Sequence, residues 1–474
     1  MNQIIFSDFN LGGISDSMYQ GQKNSVAEMV GFDIHSEPGI LKVNQIMKNE
    51  TFALVDDLIK AIVQSSDGNT YFFGSTNGKI WRRTSAGVWS LRVTAAPAAG
   101  TVGIKDAWEF HGYIYYTMQS RIGRVVVGTP TDWTTRNDSW ATFTKTDADF
   151  HPMYEIADKL FIGDGNLLAK IDNLHVFTDD MVLDLQSILR IRSLGGTEED
   201  LLIGTYSNED NLLTKIYRYD TGGGTYSLSD RVYENGINSF LKSDNIILAS
   251  VGRKGNIYYY DGSQLQNYKK LPGSWVNSLS NIEAIIYHNA SENRFGMTLF
   301  GLSYLVGTAL KQGIYSLGGY DRNYPRVLNL EWLISSGTSV HVEIGALKAV
   351  GNNLFMSWHD NDNTVYGVDN IDVTAKIVHP YFVTKAINID RANCKTMSAC
   401  VAYRSLPTGT TINIYYQINY SGSWDYTTPI VDSIRKIVEA DVDLPEANVV
   451  QIMVLVETSG NNAPEIENLI VNFE

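Results

Sequence analysis

The chain has 474 residues, 44% of them hydrophobic, and a formal charge of −15. That apolar share excludes a disordered polymer, and the length exceeds one ordinary core unless a repeat architecture absorbs it. The acidic balance argues against a surface built to grip nucleic acid, which needs Lys and Arg to displace counterions. It suits solubility, and also a surface that DNA must pass without sticking.

Tyrosine (27 residues) and glycine (40 residues) are used heavily, which favours pleated strands and tight turns. An all-β protein is expected. No apolar run approaches the ~20 residues of a membrane-spanning helix. The first ten residues lack the basic and apolar regions of an export signal. The two cysteines, Cys394 and Cys400, fall on one face of a single strand, where a bond between them is not expected.

Residues 1–50 do not read as a repeat. Gly12-Gly13 interrupts regular structure, and residues 16–21 are polar and turn-rich. Ser25 and Glu28 have capping-box spacing, which predicts about one helical turn over residues 25–30. Gly31-Phe32-Asp33-Ile34-His35 alternates, Glu37-Pro38-Gly39 turns the chain, and Ile40-Leu41-Lys42-Val43 follows. An extended arm is expected that lies on other surfaces and then enters the next domain. A first strand that closes the following ring is a compatible reading.

Residues 51–380 repeat one phrase: an apolar strand, a polar turn, a second apolar strand. It reads Tyr71-Phe72-Phe73-Gly74 then Ile80-Trp81, and Tyr113-Ile114-Tyr115-Tyr116 then Val125-Val126-Val127. It returns as Leu160-Phe161-Ile162-Gly163 then Leu168-Ala169-Lys170-Ile171, with later copies from Asp200, Asn245, Arg294 and Asn353. Their spacing of roughly 40–60 residues is close to the blades of propeller repeats, and predicts a β-propeller of about seven blades. Asp67-Gly68, Asn77-Gly78, Asp164-Gly165 and Asp261-Gly262 tolerate positive φ and mark hairpins. Helix signals are few, residues 181–189 being the best. The unit from 281 to 332 is long, with room for a loop insertion at 318–326 whose Tyr320, Arg322 and Tyr324 are candidate exposed contacts.

From residue 381 to 474 the pattern changes to short alternating strands at 398–403, 411–418, 450–457 and 465–473, separated by turns such as Pro407-Thr408-Gly409 and Ser421-Gly422-Ser423. This predicts a C-terminal β-sandwich.

Enzymatic and metal motifs do not assemble. Gly-x-Ser-x-Gly, Walker A and His-Glu-x-x-His are missing from the sequence. Gly222-Gly223-Gly224 lacks a following Lys-Ser/Thr and reads as a hairpin loop. His359-Asp360-Asn361-Asp362-Asn363 is the densest set of oxygen ligands, but it lacks the Gly and Glu of an EF-hand loop and reads better as a solvated turn than as a Ca²⁺ site. His111, His151, His175, His288 and His341 are scattered over separate repeats, and nothing selects a triad from them. Trp81, Trp89, Trp108 and Trp133 fit packing between blades better than a sugar-binding face. No catalytic, cofactor or metal site is expected.

Leu11-Gly12-Gly13, then Gly31-Phe32-Asp33-Ile34, then Pro38-Gly39-Ile40-Leu41-Lys42 resembles the opening of many bacteriophage virion proteins, in which a propeller usually follows. In the order of its parts the whole chain resembles tail nozzle and head-closure proteins of short-tailed phages, including the packaged-DNA stabilisation type. The motif likeness covers about the first forty residues. The resemblance implies a non-enzymatic virion protein assembled in the host cytoplasm. Copies would form a ring, commonly six-fold, beneath portal or adaptor proteins and around passing double-stranded DNA, retaining the packaged DNA and allowing its ejection. The arm, with Leu11, Gly12, Gly13, Phe32, Asp33, Pro38 and Gly39, would lace neighbouring subunits. A receptor- or glycan-binding propeller at the tail tip or virion surface is the alternative, motivated by the aromatics at 320–324 and 424–426.

Overall fold

The structure, a computed structural model, describes residues 2–15, 24–50, 55–93, 103–128, 133–145, 150–196, 200–207, 214–234, 236–243, 246–252, 256–270, 297–302, 313–319, 325–335, 342–389, 396–444 and 447–474. Six four-stranded antiparallel sheets lie among them, and a seventh four-stranded unit belongs to a nine-stranded sheet.

Blade 1 runs Ile59–Gln64, Thr70–Gly74, Ile80–Arg83 and Trp89–Val93. Blades 2 to 5 repeat this order, starting from the inner strands Asp106–Phe110, Met153–Ile156, Leu189–Gly196 and Ile237–Ser243. Blade 6 supplies Thr298–Leu302, Gly313–Gly318 and Val327–Leu333, and blade 7 supplies Val342–Val350, Asn353–Asp360 and Val365–Lys376. Both take their outer strands from the arm, Glu28–Val30 and Gln45–Asn49 respectively. Each inner strand packs beside the next, and that of blade 7 beside that of blade 1, so the ring closes.

Six of the seven sequence phrases are second strands, buried along nearly their whole length between two neighbours. This is why they read as unbroken apolar runs rather than as alternation. The phrase at Arg294 is the exception. Only its Met297 is described, and it precedes the first strand of blade 6. Glycines end several phrases for a packing reason. A Cβ on Gly163 would lie 2.7 Å from Ile191 of the next blade, and one on Gly204 would lie 2.7 Å from Ile237. Hydroxyls latch the seams: Thr117 Oγ1 donates to His151 O (3.1 Å), Ser193 Oγ to Ile237 O (2.8 Å), and Ser357 Oγ to Ile59 O (2.6 Å), the last across the point of closure. Gly68, Gly78, Gly165 and Gly262 all sit at positive φ, as their turns require.

The C-terminal residues and the first strand of the chain form two sheets. One has the order Asn2–Phe6, Glu465–Phe473, Thr396–Ser405, Ile437–Asp443, Ile430–Asp432, and the other Tyr381–Val383, Val449–Glu457, Thr411–Ile418, Asp425–Thr427. Met397, Val401 and Val471 of the first share a core with Ile412, Ile452 and Val454 of the second.

Two helical expectations fail. Residues 181–189 contain the end of strand Phe177–Asp184 and the start of Leu189–Gly196. Leu183 pairs with Leu168 across the blade, and a helix this short has no stability of its own to set against such a partner. Residues 25–30 are extended for the reason given below. No described helix is long and apolar enough to cross a membrane.

Candidate functional site

The arm joins the propeller to the C-terminal sheets. Strand Glu28–Val30 lies between Val327–Leu333 of blade 6, to which it is parallel, and Tyr381–Val383, to which it is antiparallel. Backbone partners on both sides override the capping-box spacing and hold it extended. One continuous sheet therefore runs from blade 6 into the sandwich.

The motif residues permit this path. Gly13 has φ +57, and a Cβ there would lie 2.6 Å from Leu328 O; a Cβ on Gly12 would lie 2.2 Å from the carbonyl carbon of Asn24. Ile14 N–H donates to Leu328 O at 2.8 Å. Phe9 and Phe32, both buried, close on Phe382 with ring centroids 5.2 Å and 6.2 Å away. Asp33 Oδ1 accepts from the backbone N–H groups of His35 (2.8 Å) and Ser36 (3.0 Å) and so folds the next turn. Pro38 and Gly39 reverse the chain, with Gly39 at φ +77. Glu37 then pairs with Lys42 (2.6 Å) and with Arg404 of the sandwich, and hydrogen bonds from these two hold its carboxyl below the usual range. Leu41 exchanges backbone bonds with Ile466 at 2.8 Å and 3.1 Å.

A sealed polar knot lies beneath. Ser316 Oγ donates to Glu331 Oε1 (2.5 Å) and stands 3.0 Å from His35 Nε2. Asn44 Nδ2 donates to Glu331 Oε2 (2.6 Å), and Asn329 Nδ2 donates both to Glu331 Oε1 (3.0 Å) and to Phe32 O (2.6 Å). Burial raises the Glu331 carboxyl and lowers the His35 imidazole. The residue types are those of a Ser-His-Glu triad, but the wiring is not. Glu331 bonds the serine rather than orienting His35 Nδ1, and all three side chains are closed to solvent. The knot fastens the arm to blade 6.

The end of the arm completes the ring. Glu50 Oε2 accepts from Arg83 Nε (2.6 Å) and Trp89 Nε1 (3.1 Å) of blade 1, while Oε1 accepts from Asn370 Nδ2 (2.7 Å) of blade 7.

The motif thus converges on one junction, where Gly12, Gly13, Phe32 and Asp33 are spent on their own chain and Leu11 stays 37% exposed. His35, Asn44, Ser316, Asn329 and Glu331 escaped sequence reasoning because the partners stand 281 to 297 positions apart. Tyr320, Arg322, Tyr324, His288, His341 and Cys394 lie outside the described residues. Cys400 is a half-buried free thiol, pushed up by burial. Asp360 folds its own turn, its Oδ1 accepting from the N–H groups of Asp362 (3.0 Å) and Asn363 (3.2 Å). Among the described residues no group of three or more acidic, His or Cys side chains is placed to hold a metal. Trp81 and Trp133 are buried packing, and Trp108 Nε1 donates to Glu155 (2.9 Å). His151 is sealed against Phe143, whereas His111 and His175 meet at the seam of blades 2 and 3, ring centroids 6.5 Å apart. A cavity of about 660 Å³ opens between blades 6 and 7, lined by Met47, Leu333, Ile334, Trp358, Tyr366 and Ile377 among others.

No protein-family model and no curated protein matches the chain. Among solved structures it is similar to a streptogramin B lyase, with 12% identity over 69% of this chain and 98% of that one and a TM-score of 0.49. It is similar to virginiamycin B lyase from Staphylococcus aureus, with 12% identity, 69% and 98% covered, and a TM-score of 0.47. An exo-β-1,3-galactanase from Phanerochaete chrysosporium aligns over 99% of this chain and 100% of its own at 10% identity and a TM-score of 0.33. Likeness at this level carries nothing about activity. The chain is an all-β protein built on a propeller.

Proposed function

We propose that the protein is a structural subunit of a bacteriophage virion, a tail or head–tail connector component. Copies assemble into a ring around the DNA exit channel, retain packaged DNA, and let it pass on ejection. It acts by assembly rather than catalysis, with portal, adaptor or other tail proteins as partners. The observation that carries this reading is the arm. The phrases on which the resemblance rests are the residues that weld blade 6 to the sandwich. Such a weld makes a stiff two-part block suited to the wall of a conduit. The charge of −15 suits a surface that DNA slides past.

With the arm engaged at home, ring contacts fall to other surfaces. The sheet edge Ile430–Asp432 and the turn after it leave Ile430 70%, Val431 54% and Ile434 94% exposed. Proteins ordinarily protect an apolar sheet edge, and a neighbouring subunit is the protection that fits a ring.

The test is the solution mass of the purified protein at low and high concentration, alone and with connector complexes. A ring, or a monomer that becomes a ring on the connector, is expected, and Ile434→Glu with Val431→Lys should abolish it. A monomer that ignores connectors at every concentration would sink the proposal.

A further inference from the structure

One face of blades 2 and 3 carries a polar cluster that the junction does not use. Three turns meet there, and each holds a non-glycine residue in the left-handed region: His111 (φ 45), Asp158 (φ 57) and His175 (φ 62). His111 and Asp158 are central residues of two-residue hairpins, whose turns require positive φ and aim these side chains outward at the ends of their blades.

The groups are joined across the seam. His111 Nε2 bonds Asp158 Oδ1 at 2.6 Å, and Asn173 Nδ2 donates to Asp158 Oδ2 at 2.8 Å. The Tyr115 hydroxyl meets His175 Nδ1 at 2.8 Å, and the His175 ring stands against Tyr113 with centroids 4.6 Å apart. Beside them the Arg124 guanidinium sits between two rings, 4.7 Å from the centroid of Tyr113 and 4.5 Å from that of Trp140. Stacking covers the flat faces of a guanidinium and leaves its N–H edge for oxygens; one N–H of Arg124 goes to the Tyr115 hydroxyl, and the others are left for a ligand. Among the described residues no carboxylate makes an ion pair with Arg124.

Packing between blades accounts for the buried Tyr115. It does not account for the exposed polar rim, where the side chains of His111 and Asp158 are 41% and 57% accessible. Arg124 is flanked by an amide and by two carboxylates, Asp158 and Asp172, the latter near enough to act on Tyr115 and His175. Such a set is wrong for a polyanion, which the carboxylates would repel. It is right for one negative charge set among hydroxyls.

We propose that this cluster binds a carboxylated pyranose, the acidic sugar unit of a polysaccharide. Arg124 takes the carboxylate, the Tyr113–His175 wall meets the C–H face of the ring, and Asp158, Asn173 and His111 meet its hydroxyls. The site does not depend on ring assembly, and its readout is separate from the solution mass.

The experiment titrates the full-length protein with glucuronic, galacturonic and N-acetylneuraminic acids, each beside its neutral methyl ester, by calorimetry and ligand-observed NMR. At least one acid should bind at about 1 mM or tighter, an ordinary affinity for a single small contact set. Its ester should bind at least about tenfold more weakly, as loss of a charge-assisted pair requires. Arg124→Gln should remove the preference for the acid. Asn173→Ala and His111→Ala should weaken binding while leaving the melting temperature in place, because both side chains lie on the surface. No binding of any of the three acids, equal binding of acid and ester, or wild-type affinity in Asn173→Ala and His111→Ala would each overturn the proposal.

Discussion

Phe382→Ala tests whether the arm welds the two parts into one body. Phe382 is fully buried, on a strand paired on one side with Glu28–Val30 and on the other with Val449–Glu457. Its ring meets Phe9 at 5.2 Å and Phe32 at 6.2 Å. Truncating a buried phenylalanine costs about 3–5 kcal/mol. The loss of two aromatic pairs, ~0.5–1.5 kcal/mol each as part of that total, places this site toward the upper end. The cost should fall on the junction and the sandwich, which share one core, and spare the blades that have cores of their own. The seam of blades 1 and 2 has its own core around Phe73, Tyr116 and Trp133, whereas Phe9, Phe32 and Phe382 share one core with Ile452 and Val454 of the sandwich. Calorimetry of the wild type should show one cooperative transition and that of the variant two. Hydrogen exchange should lose protection first at Ile14, at residues 28–30 and at the Leu41–Ile466 bridge. A variant that keeps a single transition, shifted by less than about 1 kcal/mol as an ordinary substitution would be, refutes the weld.

Gly204→Val should destabilise by about 1–3 kcal/mol or more through overpacking, because its Cβ would stand 2.7 Å from Ile237 of the next blade; a lowered urea midpoint checks this. Asp369 is buried beneath Trp358 and accepts from Ser335 and Trp358, and burial pushes its carboxyl up to about 6. A raised carboxyl contributes stability below its unfolded value, near 4, and loses it as pH rises through 6. Asp369→Asn should therefore flatten the fall in stability between those two pH values, and parallel slopes in denaturation series would contradict the assignment. Deleting residues 1–43 should leave protein that fails to fold, because Glu28–Val30 and the buried Phe32 go with it; a soluble monomer with wild-type circular dichroism would show that the arm is an accessory.

Much of the propeller was legible because its signals are local. A turn such as Asn77-Gly78 selects positive φ by its own chemistry, and an unbroken run such as Tyr71-Phe72-Phe73-Gly74 records a strand covered on both faces. The alternation in residues 411–418 likewise declares one wet and one dry face. At the arm, the sequence marked Gly12, Gly13, Phe32 and Asp33 as unusual but gave no direction for the chain to travel. Cap spacing favoured a helical turn at residues 25–30. Only the presence of blade 6 and Tyr381–Val383 on either side makes the extended form the one with satisfied backbone groups. His111 and His175 read as scattered until two blades set their turns side by side.

By itself, then, the sequence determined strand content, turn positions, the repeat, and the acidic surface, since each follows from neighbouring residues or from composition. Tertiary structure alone decided which strands the arm completes and that Glu331, Ser316 and His35 form a knot instead of a catalytic site. It alone closed the ring through Gln45–Asn49 and Glu50. Those outcomes rest on desolvation and backbone hydrogen bonds from partners about three hundred residues away, and no local pattern carries that information.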